Sequence, residues 1–139
     1  MHGDRLLGQF INSGDTLWVY KGTELIFQSR KERLMPLLGY IDAFVPRIKG
    51  VTVFDCIVGN AAALLLKKAL CRKVYSPVAS QAAVHSLEKF GIGYHFLKIV
   101  PGIREGNDIC PMEKLSGGKT PDEFYQAVKD LLLKGAGAK

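Results

Sequence analysis

The sequence predicts an α/β protein, a three-layer α/β/α sandwich built on a five-stranded mixed sheet. In its second half, short apolar runs typical of buried strands alternate with segments whose apolar residues recur at helical spacing. Near the start, two apolar runs flank Gly22, a pattern that predicts a β-hairpin. A chain of 139 residues with 47% hydrophobic residues fits one globular domain. We therefore assign a single domain to residues 1–134 and a flexible tail to residues 135–139.

The first half is predicted to contain two helices and the hairpin. An apolar stripe beginning at Leu6 predicts a short first helix that ends at Gly14. The segments TLWVY and ELIFQ are the hairpin strands. In the next helix the stripe starts at Leu34, and Pro36 fits only within the first turn. This second helix is therefore expected to begin near Arg33.

The second half is predicted to alternate strand and helix three times. The strands are VTVFD, KVYSPVA and YHFLKIV, and Pro77 indicates an edge, an end or a bulge in the second of them. The intervening helices are NAAALLLKKAL and the segment after Ser80, which is a typical N-cap. A loop over residues 101–119 follows, and Thr120 and Glu123 predict a capping box for the last helix.

Strands joined through helices are expected to lie parallel, with helices on both faces of the sheet. In such sheets, ligands bind outside the carboxyl ends of the strands. Asp55 and Cys56 follow the strand VTVFD directly, so they are the first candidates for catalytic residues. Gly59 and Asn60 come next and are expected to leave the helix start open to a ligand.

Two interpretations of this junction are compatible. Asp55 can cap the third helix, with Cys56 as a small buried residue. Alternatively, both face a ligand: a thiol in the first helical turn has a lowered pKa, but the neighbouring carboxylate opposes that effect. This makes Asp55 the stronger candidate, since a carboxylate can attack an electrophilic carbon such as the anomeric carbon of a sugar.

Two further segments contain candidate ligand-binding residues. In SRKER, Ser29, Arg30, Lys31 and Arg33 lie near the start of the second helix and can hold a phosphate, or else form a solvated basic loop. Cys110 and Glu113 lie after the last strand, in a loop that can close over the same end of the sheet or serve as a plain linker.

The three histidines have no spacing typical of metal ligands. His85 falls on the polar side of its helix and is expected in solvent, and His95 alternates with aromatic residues and is expected to be buried. The three cysteines are odd in number and widely spaced, which does not indicate a disulfide framework. We therefore expect no metal, zinc in particular, and no resident cofactor, although a nucleotide-like ligand, attached covalently or not, remains open.

Charge and composition limit the partners. The net charge is +6, which favours anionic ligands, but no basic run is interleaved with aromatic residues as in single-strand binders. We expect a small phosphorylated ligand rather than nucleic acid. The sequence has no signal-peptide pattern near its start and no apolar run of membrane-spanning length, so we expect a cytoplasmic protein. A homodimer is left open, since Trp18 and Tyr20 share one strand face.

The order of elements and one motif position resemble the cytidine deaminase-like superfamily, and an uncharacterised bacterial family within it. Deaminases of this fold carry H-x-E at the second helix and P-C-x-x-C at the third. Here DCIVG stands at the second signature: Asp55 replaces the proline, Cys56 keeps the first cysteine and Gly59 replaces the second. SRKERLMP has no histidine two residues before a glutamate. The resemblance implies the fold, without the zinc ligands or the catalytic glutamate.

Two classes of function follow. The first is a protein that binds a nucleotide- or ribose-phosphate-like ligand near Asp55, with metal-independent chemistry if it is an enzyme. The second is a non-catalytic ligand-sensing or protein-interaction module that kept the fold and lost the zinc site. A true zinc deaminase is a more distant third, because it needs ligands from outside the usual signatures.

Overall fold

The structure, a computed structural model, describes residues 3–105 and 108–137, without the side chains of Glu105 and residues 134–137. Its helices are α1 (Gly3–Ser13), α2 (Met35–Phe44), α3 (Asn60–Lys68), α4 (Gln81–Phe90), α5 (Pro111–Ser116) and α6 (Pro121–Gly137). Its strands are β1 (Leu17–Lys21), β2 (Glu24–Ser29), β3 (Val51–Asp55), β4 (Ile57–Val58), β5 (Cys71–Ser80), β6 (Gly93–Val100), β7 (Arg104–Glu105) and β8 (Asp108–Ile109).

The main sheet is mixed and six-stranded, as the alternation of strands and helices predicted in outline. β2 and β1 form the antiparallel hairpin, and β1 continues antiparallel to β3. β3, β5 and β6 are parallel, joined by α3 and α4. The parallel half and the hairpin are therefore confirmed, whereas the count of five strands is wrong because of β4, which pairs with β5.

β3 and β4 occupy one position in the sheet and are interrupted at Cys56. Both pair with β5, whose other edge is taken by β6 along most of its length. Pro77 lies at the level of this interruption: Phe54 pairs with Tyr75, and Ile57 pairs with Val78. Proline has no N–H to donate to a neighbouring strand. The central strand β5 accommodates it at this level because the neighbouring β3–β4 position is interrupted there.

The two faces of the sheet are covered unequally. α1 packs on one face through Leu7 and Phe10, which contact Phe54 and Tyr75. Trp18 and Tyr20 belong to this cluster, so they lie under a helix. The larger core lies on the opposite face, where residues of α2, α3, α4 and α6 pack on Val53 and its neighbours. Because side chains alternate along a strand, Asp55 points to the same face as Val53.

Two predicted boundaries need correction, while the second helix begins at Met35, close to Arg33 as expected, with Pro36 in its first turn. Arg33 itself has a left-handed φ of 59°, and Leu34 is the N-cap. The predicted loop over residues 101–119 contains the β7–β8 ladder and α5. α6 continues to Gly137, so three residues of the predicted tail are helical, since no proline interrupts them. The remaining tail residues, 138 and 139, lie outside the described part of the chain.

Tyr40 belongs to α2, and its fully buried side chain lies between the rings of Phe27 and Phe44. Within residues 3–105 and 108–137, its hydroxyl has no hydrogen-bond partner. Leaving a buried polar group unsatisfied costs about 1–3 kcal/mol. We therefore expect Tyr40→Phe to raise the free energy of unfolding by about 1 kcal/mol, measured by urea denaturation.

The matched control is Tyr94→Phe, which removes an exposed hydroxyl that donates to Glu88. This substitution should change the stability by less than about 0.5 kcal/mol. A clear loss of stability in Tyr40→Phe would show that the hydroxyl has a partner after all.

Candidate functional site

Asp55 is the last residue of β3 and is 8% exposed. Its Oδ1 accepts a hydrogen bond from the backbone N–H of Cys56 at 2.8 Å. Burial raises the pKa of the Asp55 carboxyl to about 7, although the backbone N–H groups of Cys56 and Ile57 lower it in part. Near neutral pH, this carboxyl is therefore divided between its protonated and ionised forms, as suits a group that exchanges protons or attacks a ligand.

Asp55 does not cap the third helix, because β4 separates it from α3. The N-cap of α3 is Gly59, which has no side chain to offer. Instead, Glu113 of α5 accepts from the backbone N–H groups of Asn60 and Ala61, each at 2.9 Å. A carboxylate from a distant segment thus satisfies two of the free donors at the helix start, where negative charge is favourable. The predicted open helix start is filled by this side chain.

Gly59 lets Glu113 approach. A Cβ on Gly59 would lie 2.4 Å from Oε1 and 2.5 Å from Cδ of Glu113. The backbone of Gly59 has φ −98° and ψ −175°, an extended conformation that any residue adopts. The glycine is therefore required by space rather than by backbone conformation.

A cleft of about 340 Å³ opens beside Asp55. We call it the Asp55 cleft. Its ionisable lining residues come from four separate segments: Arg33, Asp55, Arg104, Cys110 and Glu113. Both arginines are exposed while the aspartate is buried, so two guanidinium groups lie on the exposed part of the lining and a carboxyl lies at its buried end.

The rest of the cleft is mainly apolar. α3 contributes Ala61 and Ala62, and the remaining apolar residues are Leu34, Ile57, Ile103 and Met112. Ligand sites commonly combine an apolar lining with a few placed polar groups, and this volume is within their usual range of about 300–1,000 Å³. The cleft therefore has the size and lining of a site for a small molecule.

Cys56 lies outside this cleft. It is exposed, and its thiol contacts the backbone oxygen of Asp15 at 3.6 Å. Partial burial and then the charge of Asp55 raise the pKa of the Cys56 thiol. The expectation that it lies in the first turn of the helix is wrong, because α3 begins four residues later, so the start of that helix does not activate the thiol.

The SRKER cluster is divided by the fold. Arg30 forms an ion pair with Asp15, with 2.8 Å between Nε and Oδ1. Ser29 accepts from the backbone N–H of Lys31, whose own carbonyl accepts from Thr16. Of the cluster's predicted ligand-binding residues, Arg33 alone lines the Asp55 cleft. Ser29, Arg30 and Lys31 are placed elsewhere because the β2–α2 connection turns at the left-handed Arg33.

The other predicted ligand-binding residues are also divided. Gly59, Cys110 and Glu113 line the Asp55 cleft, and Cys110 is the N-cap residue of α5. The amide of Asn60 donates instead to Ser116 at 2.9 Å, and its oxygen accepts from Ser86 at 2.5 Å. The side chain of Asn60 therefore belongs to a second cleft.

The histidines take separate positions. His85 is exposed on α4 as predicted. His95 was expected to be buried, but its side chain is 42% exposed and Nε2 lies 3.2 Å from Oδ1 of Asp4, because β6 is an edge strand of the sheet. Across residues 3–105 and 108–137, no three His, Cys, Asp or Glu side chains are grouped so that they can hold a metal ion.

Comparison with known proteins identifies the family. A model of a domain of unknown function, DUF1893, matches residues 7–132. The chain belongs to the DUF1893 family. The crystal structure of a DUF1893 family protein, TM1506 from Thermotoga maritima, is similar at 27% sequence identity, with a TM-score of 0.81 over 91% of this chain and 87% of that one. No curated protein matches the sequence.

The DUF1893 assignment covers almost the whole α/β fold and shows a family whose function is unknown. It does not extend to the cytidine deaminase-like superfamily, and that relation stays a prediction. Among the described helices, none is long and apolar enough to cross a membrane.

Sequence reasoning missed Arg104 and Met112 as lining residues of the cleft. Both fall within the segment that was predicted to be a loop. One signal was available: the dipeptide Gly106–Asn107 is typical of a two-residue hairpin connection, and β7 and β8 flank it. The two residues of that dipeptide lie outside the described part of the chain.

Proposed function

We propose that this DUF1893 protein binds a nucleotide- or ribose-phosphate-like ligand in the Asp55 cleft, with metal-independent chemistry at Asp55. The observation that supports it most is a buried carboxyl, with its pKa raised to about 7, lining a cleft of about 340 Å³. A buried titratable group of this kind in a concave site is typical of functional residues.

The lining suits both parts of such a ligand. Arg33 and Arg104 carry guanidinium groups, which bind phosphoryl oxygens through charge-assisted hydrogen bonds. The apolar residues from α3 and from the segment before α5 offer surface for a sugar or a base. Phosphate and ribose would thus be recognised by different parts of the same cleft.

The proposed chemistry is nucleophilic attack by Asp55. An oxygen of the ionised carboxylate forms an ester bond to the anomeric carbon of the ligand, and the bond from that carbon to its leaving group breaks. The leaving group takes the electron pair and is protonated from solvent. In this scheme Glu113 is not a general base, because both of its carboxylate oxygens accept from the start of α3.

The fold relation forms part of the proposal. A cytidine deaminase-like ancestor would have used the start of α3 for zinc, and here Glu113 fills that position. Hydrolytic deamination is not proposed for this chain, since Asp55 and Gly59 replace residues of the zinc signature.

The proposal is tested by mass spectrometry and calorimetry. We expect the purified protein, under native or denaturing conditions, to carry the mass of a ribose-phosphate-containing ligand, or to bind ribose 5-phosphate or AMP in calorimetry. Asp55→Asn should remove a covalent mass completely, because an amide is not a nucleophile toward the anomeric carbon.

Glu24→Gln, an exposed residue of β2, is the control with the same change of charge. It should keep both the mass and the binding. A chain without any added mass that binds neither probe would overturn the proposal, and an adduct that survives Asp55→Asn would overturn the role of Asp55.

One observation favours the alternative of a non-catalytic sensor. The start of α3, where an anion or a developing charge would be stabilised, is already occupied by Glu113. A ligand would then be held by the arginines without reaction. Reversible binding of AMP with equal affinity in the native protein and in Asp55→Asn, and its loss in Arg33→Gln, would support this alternative.

A further inference from the structure

A second cleft, of about 440 Å³, lies between α3, α4 and the segment that joins α5 to α6. We call it the Lys89 cleft, after one of its lining residues. His85 and Lys89 come from α4, and Lys119 and Thr120 come from the joining segment. The two α4 residues are four positions apart, so they project from the same side of the helix.

The ionisable lining of the Lys89 cleft is basic. Among the described residues that line it there are two lysines and a histidine, and no carboxylate. One acidic residue close by in sequence is Glu123, whose pKa is lowered by its hydrogen bonds with Thr120 and, to a smaller extent, by Lys119. That carboxylate accepts from the backbone N–H of Thr120 at 2.8 Å, which ties it to the capping box. Glu88 of α4 accepts from Tyr94, and Asp122 of α6 pairs with Lys68, so these two carboxylates are also bound to residues outside the lining of the cleft.

The hydroxyl groups at the base of the cleft are already oriented. Ser86 donates to the Asn60 oxygen, and Ser116 donates to the backbone oxygen of Glu113 at 2.7 Å. The hydroxyl protons of Ser86 and Ser116 are thus used in hydrogen bonds within the protein. Thr120 accepts from the backbone N–H of Glu123 at 3.2 Å, which leaves its own hydroxyl proton able to donate. The donors that face the cleft are consequently Lys89, Lys119, Thr120 and His85.

We propose that the Lys89 cleft binds the phosphoryl group of a small phosphorylated ligand. Four side chains with donor groups line one concavity, and an anion with oxygens on all sides can accept from more than one of them. The volume exceeds that of a bare phosphate ion and lies in the range of small-molecule sites. This site is separate from the Asp55 cleft and does not depend on the function proposed for it.

The two clefts share a wall. The backbone N–H of Asn60 donates to Glu113 of the Asp55 cleft, and its side chain donates to Ser116 of the Lys89 cleft. α5 therefore contributes Glu113 to one cleft and Ser116 to the other. Because the contact is direct, phosphate in the Lys89 cleft should also change the environment of the Asn60 amide.

The test is a ¹H–¹⁵N NMR titration of the full chain at constant pH and ionic strength. Inorganic phosphate is one probe and ribose 5-phosphate is the other. We expect saturable shifts of the amides from Ser116 to Thr120 and of the His85 ring with at least one probe. Shifts with inorganic phosphate alone identify a free anion as the ligand, and tighter binding of the sugar phosphate identifies a larger phosphorylated ligand.

Two variants locate the binding. The double substitution Lys89→Gln and Lys119→Gln should weaken phosphate binding by about tenfold or more, since it removes two charge-assisted contacts. Lys98→Gln on β6, which does not line the cleft, is the control and should leave the affinity unchanged. All three lysines are at least partly exposed, so the variants are expected to fold, and the same spectra confirm it.

Unsaturated shifts spread evenly over the surface lysines, or equal affinity in the double variant, would overturn this proposal. Asp55→Asn should still bind phosphate in the Lys89 cleft, so failure of one proposal is distinguishable from failure of the other.

Discussion

Replacing Glu113 with alanine is expected to lower the free energy of unfolding by about 2–4 kcal/mol, because its carboxylate makes two hydrogen bonds to partly buried backbone N–H groups at the start of α3. The carboxylate holds the N–H groups of Asn60 and Ala61 at 2.9 Å each. α3 packs against the sheet with six buried residues, so loosening its first turn also disturbs the core. Chemical denaturation monitored by circular dichroism measures the loss.

The same contact predicts the effect of Gly59→Ala. The new methyl group would overlap the Glu113 carboxylate, so either the hydrogen bonds are lost or the backbone moves, at about 1–3 kcal/mol. In a Glu113→Ala background the overlap disappears, and the same substitution should cost less than about 0.5 kcal/mol. The two losses are therefore expected to be strongly non-additive in a double-mutant cycle.

Gly8→Ala is the matched control for the glycine substitution. Gly8 lies inside α1, with no atom within 4 Å of an added Cβ. Alanine there should stabilise the protein by about 0.5–1 kcal/mol, because glycine is a poor helix former. Additive losses in the cycle, or equal effects of the two glycine substitutions, would contradict the role assigned to Glu113.

This contact also shows why the sequence predicted the fold better than the site. Apolar periodicity is local, so the strand at Val51–Asp55 and the capping box at Thr120 are visible in short windows. The carboxylate that caps α3 comes from more than fifty residues further along the chain. No local pattern marks such a pair, and Asp55, adjacent to the helix in sequence, was the natural but wrong choice of cap.

The position of the candidate site could be predicted from the sequence, but the set of residues that line it could not. Asp55 was placed at the end of a parallel strand, where ligands bind in such sheets, and it lines a cleft there. Two other predicted residues do not line this cleft. Alternation along the strand turns Cys56 to the opposite face, and Arg30 forms an ion pair with Asp15 instead. Arg104 lines the cleft from β7, and the two-residue strands β7 and β8 are too short to show an apolar periodicity in the sequence.

Asp55 should also make the stability of the protein depend on pH. Its pKa rises from 3.8 in the unfolded chain to about 7 in the folded protein, because burial disfavours the charged form. Between these two values, the folded state binds a proton that the unfolded state has released. The free energy of unfolding must therefore fall as the pH rises through this window, by about 1.4 kcal/mol per unit and by up to about 4 kcal/mol in total.

Asp55→Asn removes this dependence and retains an oxygen that accepts from the N–H of Cys56. The variant should match the native protein at about pH 4 and be more stable by several kcal/mol at about pH 8, where the native protein holds a buried charge. The measurement is urea denaturation of both proteins at several pH values.

Asp122→Asn is the control carboxylate for this comparison. Its side chain is 81% exposed and pairs with Lys68 at the surface, so its removal should change the free energy of unfolding by less than about 1 kcal/mol. Parallel pH profiles for the native protein and Asp55→Asn would place the Asp55 carboxyl in water rather than in the protein interior. They would also remove the main support for a reactive group in the cleft, because an ordinary surface carboxylate has neither the raised pKa nor the desolvation on which its proposed chemistry depends.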